Sequence, residues 1–353
     1  MRKKFKILCI GLVIVIGLFT AFLLFLAITG KGKLTLPVQK KECFEMPEGV
    51  ASYAQKLTVK DTILVNEEGE QVVLQGVMIP DARKLDLEGD FTKEYFDKMF
   101  ACCGNVVRVP IHPEYWENDE YYLWRYLDPI VGWAVENNKY VILDMHFIGN
   151  IEDASSKEMP TIKKEPVEFS VEFWNMVANY FRDVPNVIFE LYNEPAGISH
   201  KRWAENATML IDIIRSYSAE QIIIVSGVDY SYDLNYWYQQ PLQTNNIMYT
   251  AHIYPNRKQG LQNLDKLSDK LPIIMTEWGY IAPGEPYEPD HEYLIGDRES
   301  FGIPFLKLME EKGISWVACW YDDGWEPAMF RKDGERYTDW GDLIFEYLRK
   351  NTD

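Results

Sequence analysis

Asn186-Val-Ile-Phe-Glu-Leu-Tyr-Asn-Glu-Pro195 opens as an apolar run of strand type and closes on an amide, an acid and a proline. Proline has no N–H to donate to a sheet ladder, so the strand stops there. Glu194 is thereby set where strand becomes loop, an odd place for a carboxylate kept only for packing. A strand without a clear polar face needs cover on both sides, which is the condition of a strand in a parallel sheet.

Working outward, seven further runs have the same character. Three precede it (Val73–Ile79, Val106–Ile111, Tyr140–Phe147), the stretch itself supplies Val187–Tyr192, and four follow (Ile222–Ser226, Ile247–Tyr254, Pro272–Trp278, Trp316–Tyr321). Helical patterns separate most of them. Phe91–Phe100 carries Tyr95, Phe96 and Met99 on one face, and Val171–Phe181 repeats Phe173, Trp174, Val177, Ala178 and Phe181 at helical spacing. Trp203–Tyr217, Phe305–Lys312 and a closing Leu343–Leu348 are similar, whereas the fifth connection, with Tyr230-Ser-Tyr232 and Tyr236-Trp-Tyr238, is poorer. Eight such strands alternating with helices predict the α/β class and a closed (β/α)8 TIM barrel. The alternative is an open doubly wound sheet, but no Gly-rich turn follows the first strand to give its dinucleotide signature. A short N-terminal β-hairpin, Ile63–Val65 and Gln71–Leu74 around Glu67-Glu-Gly69, comes before the barrel.

Polar residues fall late in these strands. Side chains alternate faces along a strand. By that parity Arg108 follows Val106, and His146 follows Ile142 and Asp144. Glu194 follows Glu190 and Tyr192, and His252 and Tyr254 follow Met248 and Thr250. Glu277 follows Ile273 and Met275, and Trp320 follows Trp316 and Ala318. Six strands therefore aim chemically capable groups at the C-terminal mouth, where barrel active sites gather. Each residue alone has a plain structural reading, such as an ion pair of Arg108 with Asp144 or Glu190. The convergence is what points to a site.

The bounds of the chain fit a large core. Net charge is −18, from 54 acidic against 36 basic residues, which argues against a nucleic-acid partner. The 11 Trp, 22 Tyr and 17 Phe serve either a big core or ligand stacking, and composition does not choose. Cys9, Cys43, Cys102, Cys103 and Cys319 form no C-x-x-C pair, so neither zinc nor redox chemistry is supported and no disulfide is required. Arg2, Lys3, Lys4 and Lys6 precede an uncharged run from Ile7 to Ile28. That run is near the ~20 residues needed to span a bilayer and ends without a clear Ala-x-Ala cleavage site. Residues 1–30 are expected to be an N-terminal transmembrane helix of signal-anchor type, 31–56 a linker, and 57–353 one barrel domain. The expected location is the cell membrane, single-pass, with the domain extracytoplasmic; secretion after signal cleavage is the alternative.

Two glutamates at strand ends, with no thiol nucleophile and no serine elbow, fit paired-carboxylate chemistry. Glycoside hydrolysis needs such a pair: one acid protonates the leaving oxygen while the other attacks or directs water. The ordered pieces Val107-Arg-Val-Pro110, Asp144-Met-His146, Asn193-Glu-Pro195, His252-Ile-Tyr254, Thr276-Glu-Trp-Gly279 and Trp320 resemble glycoside hydrolase family 5, the cellulase-type retaining glycosidases built on a (β/α)8 barrel. The resemblance covers the chain from about Leu57 to its C-terminus. It implies Glu194 as acid/base and Glu277 as nucleophile. It further implies that Asn193 bonds a sugar 2-hydroxyl, that Arg108 and Tyr254 hold Glu277 ionised and aligned, that His146 and His252 line the same subsite, and that Trp320 is its platform. The implied activity is endo-acting hydrolysis of a β-linked polysaccharide, best a β-1,4-glucan, with a polysaccharide or oligosaccharide as partner and no cofactor or metal.

Strict alternation turns Asn193 away from Glu194, so the strand is expected to be irregular there. Glu190 reads as deeper barrel structure. Tyr115-Trp116, Tyr230, Tyr232, Tyr236, Trp237, Tyr238 and Trp325 are candidates for stacking on further sugars or for packing. Competing readings are a metal-dependent barrel hydrolase using His146 and His252, a membrane-tethered carbohydrate-binding barrel without turnover, and a transglycosylase on the same site. The first lacks a His-x-His pair on the first strand.

Overall fold

The computed structural model describes residues 38–153, 162–218, 220–332, 334 and 336–350. The apolar run Ile7–Ile28 lies outside them; among the described residues no helix is long and apolar enough to cross a membrane. The expected hairpin is a three-stranded antiparallel sheet of β1 (Thr58–Lys60), β2 (Ile63–Val65) and β3 (Gln71–Val72). Thr58-Val-Lys60 is too short to register as a period in the sequence, yet it pairs along its whole length with β2. The β2–β3 turn closes through Asn66, whose side chain accepts from the Glu70 N–H at 2.8 Å, and through Gly69 at φ 82°.

Eight parallel strands then close on themselves: β4 (Gln75–Met78), β5 (Val106–Ile111), β6 (Tyr140–Met145), β8 (Val187–Glu190), β10 (Ile223–Ser226), β11 (Ile247–Ile253), β12 (Ile273–Trp278) and β13 (Ser315–Ala318). Two short strands at the mouth, β7 (Ile148–Gly149) and β9 (Glu194–Pro195), pair only with each other. A helix follows every barrel strand; the poor fifth connection holds the short helix Asn235–Gln239. The helices bury one stripe against the barrel's outer face. In Pro166–Tyr180 that stripe is Phe169, Phe173, Trp174, Val177 and Ala178, and the Trp174 ring lies 5.5 Å from Phe189 of β8.

Interior packing sets the position of the site. Met78, Val106, Ile142, Ile188, Ile224, Met248, Ile274 and Val317, one from each barrel strand, form a cluster apart from the helix-facing core. Leu57, Leu64 and Leu74 join it, so the N-terminal sheet stops the barrel floor with apolar side chains. Only the opposite mouth is left for polar groups.

The aromatic load is used mainly in this scaffold. Indole N–H groups of Trp174, Trp203 and Trp237 donate to strand-end carbonyls, Trp174 to Leu191 (3.0 Å) and the other two to Ser226 (2.9 and 3.1 Å). The Trp340 indole does the same for Cys319 at 2.6 Å. Carbonyls at a strand's end have lost the ladder, and a buried one without a partner is costly. Large rings from the helix layer therefore fill the core and satisfy the mouth's backbone together.

Lys41–Asp353 forms one unit, so packed chain begins well before the expected start at Leu57. The Phe44 ring lies 5.8 Å from Phe181, its N–H donates to the Tyr180 carbonyl at 3.0 Å, and the Trp124 indole reaches the Lys41 carbonyl at 2.9 Å. The tether expected over 31–56 is thus shorter at its C-terminal end. One buried ring, Phe44, in a Pro- and Lys-bearing stretch carries no periodicity that a sequence could show.

Candidate active site

The mouth is reached through regular strands on one side and irregular ones on the other. Arg108, His146 and His252 follow the alternation of β5, β6 and β11: their strand-mates Val106, Ile142 and Met248 lie in the interior cluster. The two glutamates do not follow it. β8 ends at Glu190; Tyr192, expected to face inward, packs outside against Phe147 (5.3 Å) and Trp203 (5.3 Å). The chain then re-pairs as β9 beside β7, so Asn193 and Glu194 both reach the mouth. On β12, Ile273 and Met275 face the helices and Ile274 faces the interior, opposite to the expected parity. A bulge restores Glu277: Thr250 pairs with Ile274 but His252 pairs with Glu277, one residue more on β12 than on β11. Past β13, where Trp316 and Ala318 face outward, Cys319 and Trp320 both join the interior cluster.

Arg108 is the hub. It is fully buried, and its guanidinium forks onto Glu190, Nε to Oε2 at 2.7 Å and Nη2 to Oε1 at 2.9 Å. The same Nη2 reaches Asn193 Oδ1 at 2.7 Å and Asp144 Oδ2 at 3.0 Å, while Nη1 reaches Glu277 Oε2 at 3.0 Å. Burial works against the Glu190 carboxylate, but Arg108 and the His252 hydrogen bond outweigh it and bring Glu190 down to about 2. Glu190 is therefore the counter-ion of the floor. A lysine could not replace the arginine, because only a planar fork serves these partners together.

Glu277 accepts from Arg108 through one oxygen and from the Tyr254 hydroxyl, at 2.7 Å, through the other. Burial, with Cys319 and Glu277 beside it, holds Tyr254 well above the usual phenol range, so it remains a donor. Glu194 has different company. Its Oε1 lies 2.7 Å from His252 Nδ1, and the His252 Nε2 lies 3.1 Å from the Thr276 hydroxyl. Burial raises Glu194 above the carboxylate range, and the His252 contacts only partly oppose that. For His252, burial opposes the charged form, yet Glu277, Glu190 and Glu194 outweigh it and push the imidazole up to about 10. The two carboxyls are thus unlike: one held by a guanidinium and a phenol, the other kept proton-retentive by burial beside His252.

Asn193 gives its carbonyl to Arg108, which fixes the amide and leaves Nδ2 buried and without a partner among the described residues. His146 Nδ1 sits 2.6 Å from Asp144 Oδ2; burial, with His112, Arg108 and His252 nearby, keeps it neutral well below the usual range. Trp320 donates its indole N–H to the Glu326 carbonyl at 3.0 Å, and its ring meets Trp325 edge-on at 4.9 Å. A cleft of about 810 Å³ opens above this set. Glu194, Glu277, His146, Asn193, His252, Tyr254 and Trp320 all line it, and Arg108 lies beneath it.

Glu194, His252 and Glu277 place one donor atom each within 4.8 Å of one another, so a cation is a fair question. The distances fit hydrogen bonds better. Ligands about 2.0–2.2 Å from a tetrahedral metal lie well over 3 Å apart, and His252 Nδ1 is 2.7 Å from Glu194. Arg108, already on Glu277, would also oppose a cation there.

Sequence reading missed His112 and Tyr293, which also line the cleft. His112 was within reach, since it continues the even series Val106, Arg108, Pro110 one step past β5. Asp81, fully buried, holds it through its backbone N–H (2.8 Å) and its Nδ1 (3.2 Å). Tyr293 sits in the short 3-10 helix Pro289–Leu294, which has no apolar period to announce it, its ring 5.7 Å from Tyr254. Of the stacking candidates, Tyr230 and Trp325 line the cleft. Trp116 instead packs on Phe173 at 4.7 Å, Trp237 is buried in the core, and Tyr232 is covered by the Arg257 guanidinium at 4.2 Å. Tyr236 lies against His200 (6.1 Å) and Tyr238 beneath Lys270 (4.8 Å).

Residues 65–323 match the cellulase family, glycosyl hydrolase family 5. The chain belongs to that family. It is 28% identical to endoglucanase A of Butyrivibrio fibrisolvens over 81% of this chain and 65% of the relative. It is 30% identical to an endoglucanase of Clostridium saccharobutylicum over 59% of this chain and 44% of the relative. The chain thus spans less than two thirds of the length of either. The β-glucanase of Saccharophagus degradans, solved in complex with cellotetraose, superposes with a TM-score of 0.81 at 23% identity, covering 91% of this chain and 100% of that one. The catalytic domain of a Thermobifida fusca endoglucanase gives 0.69 at 22% identity over 83% and 97%. At such identities the likeness shows a shared fold.

Proposed function

We propose that this chain is a retaining glycoside hydrolase that cuts β-1,4-linked glucan within the chain by double displacement. The observation that carries the reading is the closeness and inequality of the two carboxyls: an oxygen of Glu194 and one of Glu277 lie within 4.8 Å, in different electrostatic settings. Retaining pairs stand about 5–5.5 Å apart and inverting pairs about 6.5–9.5 Å, because inversion must fit a water between them. The endoglucanase relatives and the cellotetraose complex of the Saccharophagus neighbour support the substrate class.

In the first step Glu277 attacks the anomeric carbon and Glu194 gives its proton to the glycosidic oxygen, which leaves with the acceptor half of the chain. Asn193 Nδ2 donates to the 2-hydroxyl, a bond that strengthens as the ring approaches an oxocarbenium ion. Trp320 lies beneath the sugar as it flattens. Esterification removes the charge of Glu277, so Glu194, now ionised, takes a proton from water. That water oxygen bonds to the anomeric carbon from the face the leaving group vacated, and Glu277 is released.

Viscosity and reducing ends measured together on soluble cellulose test the endo reading. Viscosity should collapse well before reducing ends accumulate, and Glu277→Gln should abolish both by about 10³-fold or more. A proportional fall, or near-normal rates in the variant, refutes it. An apolar run of export type, Ile7–Ile28, ahead of a folded domain supports a single span with the barrel outside the cell. Surface proteolysis of intact cells should release the activity; a free secreted barrel instead would mean that the segment is cleaved.

A further inference from the structure

Cys102 and Cys103 are neighbours in the chain, and neither lines the cleft. Cys102 ends the helix Lys93–Cys102, and Cys103 caps it at φ −124° and ψ 45°, outside the helical region. Consecutive Cα atoms stand ~3.8 Å apart across a trans peptide, so the two sulfurs are tethered to each other. Past the last helical turn they meet, the Cys103 thiol hydrogen-bonding the Cys102 sulfur. Cys102 is half-buried and Cys103 is buried, so one sulfur is within reach of solvent and the other lies behind it. The Cys102 thiol also lies 3.5 Å from the Met99 carbonyl, which holds it against its own helix.

The surroundings are those of a reactive thiol. The bond from Cys103 brings Cys102 below the usual thiol range; burial opposes this, and the Tyr321 hydroxyl and Arg349 reinforce it. Burial, with Cys102 bonded to it, pushes Cys103 well above that range. Lys139, just before β6, adds a positive charge, its Nζ 2.6 Å from the Gly104 carbonyl. Partly exposed thiols in electropositive settings are the ones that react, and here the second thiol keeps the proton that the first gives up.

The ligand class follows from what the pair lacks. Among the described residues, the one group of three or more His, Cys, Asp or Glu with converging donor atoms is Glu194, His252 and Glu277. Cys102 and Cys103 therefore have no third or fourth protein ligand for a tetrahedral zinc. A linear two-coordinate ion needs its sulfurs on opposite sides, which neighbouring residues do not offer. A pyramidal acceptor that brings its own third substituent needs two thiolates on one side, and soft thiolates select soft acceptors. We propose that Cys102 and Cys103 form a bidentate capture site for a trivalent organoarsenical. The Cys102 sulfur bonds to arsenic first and the Cys103 sulfur closes the ring. Two As–S bonds form, the As=O oxygen leaves as water with the two thiol protons, and arsenic stays trivalent. The second bond is intramolecular, so the pair binds far more tightly than either thiol alone. The site is independent of the hydrolase reading.

The test uses the full, reduced chain with phenylarsine oxide as probe, read by intact-protein mass and peptide mapping. Expected is one phenylarsenic group per chain at about one equivalent of reagent, carried by the peptide that holds both cysteines. Dithiothreitol should strip it, whereas β-mercaptoethanol at equal thiol concentration should not, a comparison that needs no variant. Cys102→Ser leaves a single thiol at the helix end and should require about 100-fold more reagent for the same loading. Equal loading of Cys102→Ser overturns the proposal. So does a label found on Cys9, Cys43 or Cys319, or stripping by the monothiol as readily as by the dithiol.

Discussion

Replacing Arg108 by methionine isolates the charge at the barrel's hub, because the side chain is fully buried and touches Asp144, Glu190, Asn193 and Glu277. Two independent routes give the magnitude. Glu190 is held at about 2 against an ordinary 4.5; that difference, 4.5 − 2, at 1.36 kcal/mol per pH unit is about 3 kcal/mol. Removing one partner of a buried ion pair typically costs about 3–5 kcal/mol. The pH dependence separates a charge effect from a packing effect. In the wild type a depressed carboxylate stabilises the fold above pH 4.5, and that stability is lost as pH falls towards 2. Without Arg108, burial dominates and Glu190 takes up a proton in the folded state, so the penalty shrinks on acidification. Urea midpoints of both proteins at pH 7.5 and pH 5 measure this. The expected gap is ~3–5 kcal/mol at pH 7.5 and narrower by at least ~1 kcal/mol at pH 5. A gap below ~1 kcal/mol at pH 7.5, or an equal gap at both pH values, refutes the electrostatic reasoning.

Other perturbations probe the remaining parts. His252 is pushed up to about 10, above its ordinary 6.5, so its bonds stabilise the fold fully below pH 6.5 and cease to do so as pH rises through about 10. His252→Asn should therefore lower Tm most near pH 6 and least above about pH 10, and the reverse trend would exclude a charged imidazole. Glu194→Gln should slow glucan hydrolysis by about 10³-fold but hardly slow the first step on a dinitrophenyl cellobioside, whose leaving group needs no proton; equal losses in stopped-flow release of dinitrophenol and in glucan cleavage would remove Glu194 from the acid role. At Gly279 a Cβ would meet Pro327 at 2.6 Å and the Cys319 carbonyl and Trp340 ring at 3.1 Å. Gly279→Ala should displace the segment that carries Trp320, lowering Tm and raising KM, and a neutral outcome in both would mean that this segment yields freely.

The barrel was legible because eight apolar runs alternate with helical patterns, and burial on both faces leaves few other architectures. The site was legible for a less secure reason. Alternation placed Arg108, His146, His252 and Tyr254 on the interior face, and their strands are regular enough for that logic to hold. Glu194, Glu277 and Trp320 also reach the cleft, but not by the expected parity. Tyr192, Ile273, Met275, Trp316 and Ala318 face the helices, and the functional side chains come inward only after a strand end, a bulge, and a turn past β13. A bulge depends on how two strands register, which neither strand's own sequence specifies. The polar type of the residues and their order along the chain carried the identification where periodicity could not. His112 shows the converse, a residue on the correct parity that was overlooked because it lay one step past its strand.

The pairing of Glu194 with Glu277 is tested most directly by the configuration of the first sugar released. Proton NMR of cellotetraose digestion, recorded within the first minutes and ahead of mutarotation, reads the new reducing end. The β-anomer should appear first and the α-anomer only later, as the product equilibrates. Initial appearance of the α-anomer would mean single displacement by water and would contradict Glu277 as a nucleophile.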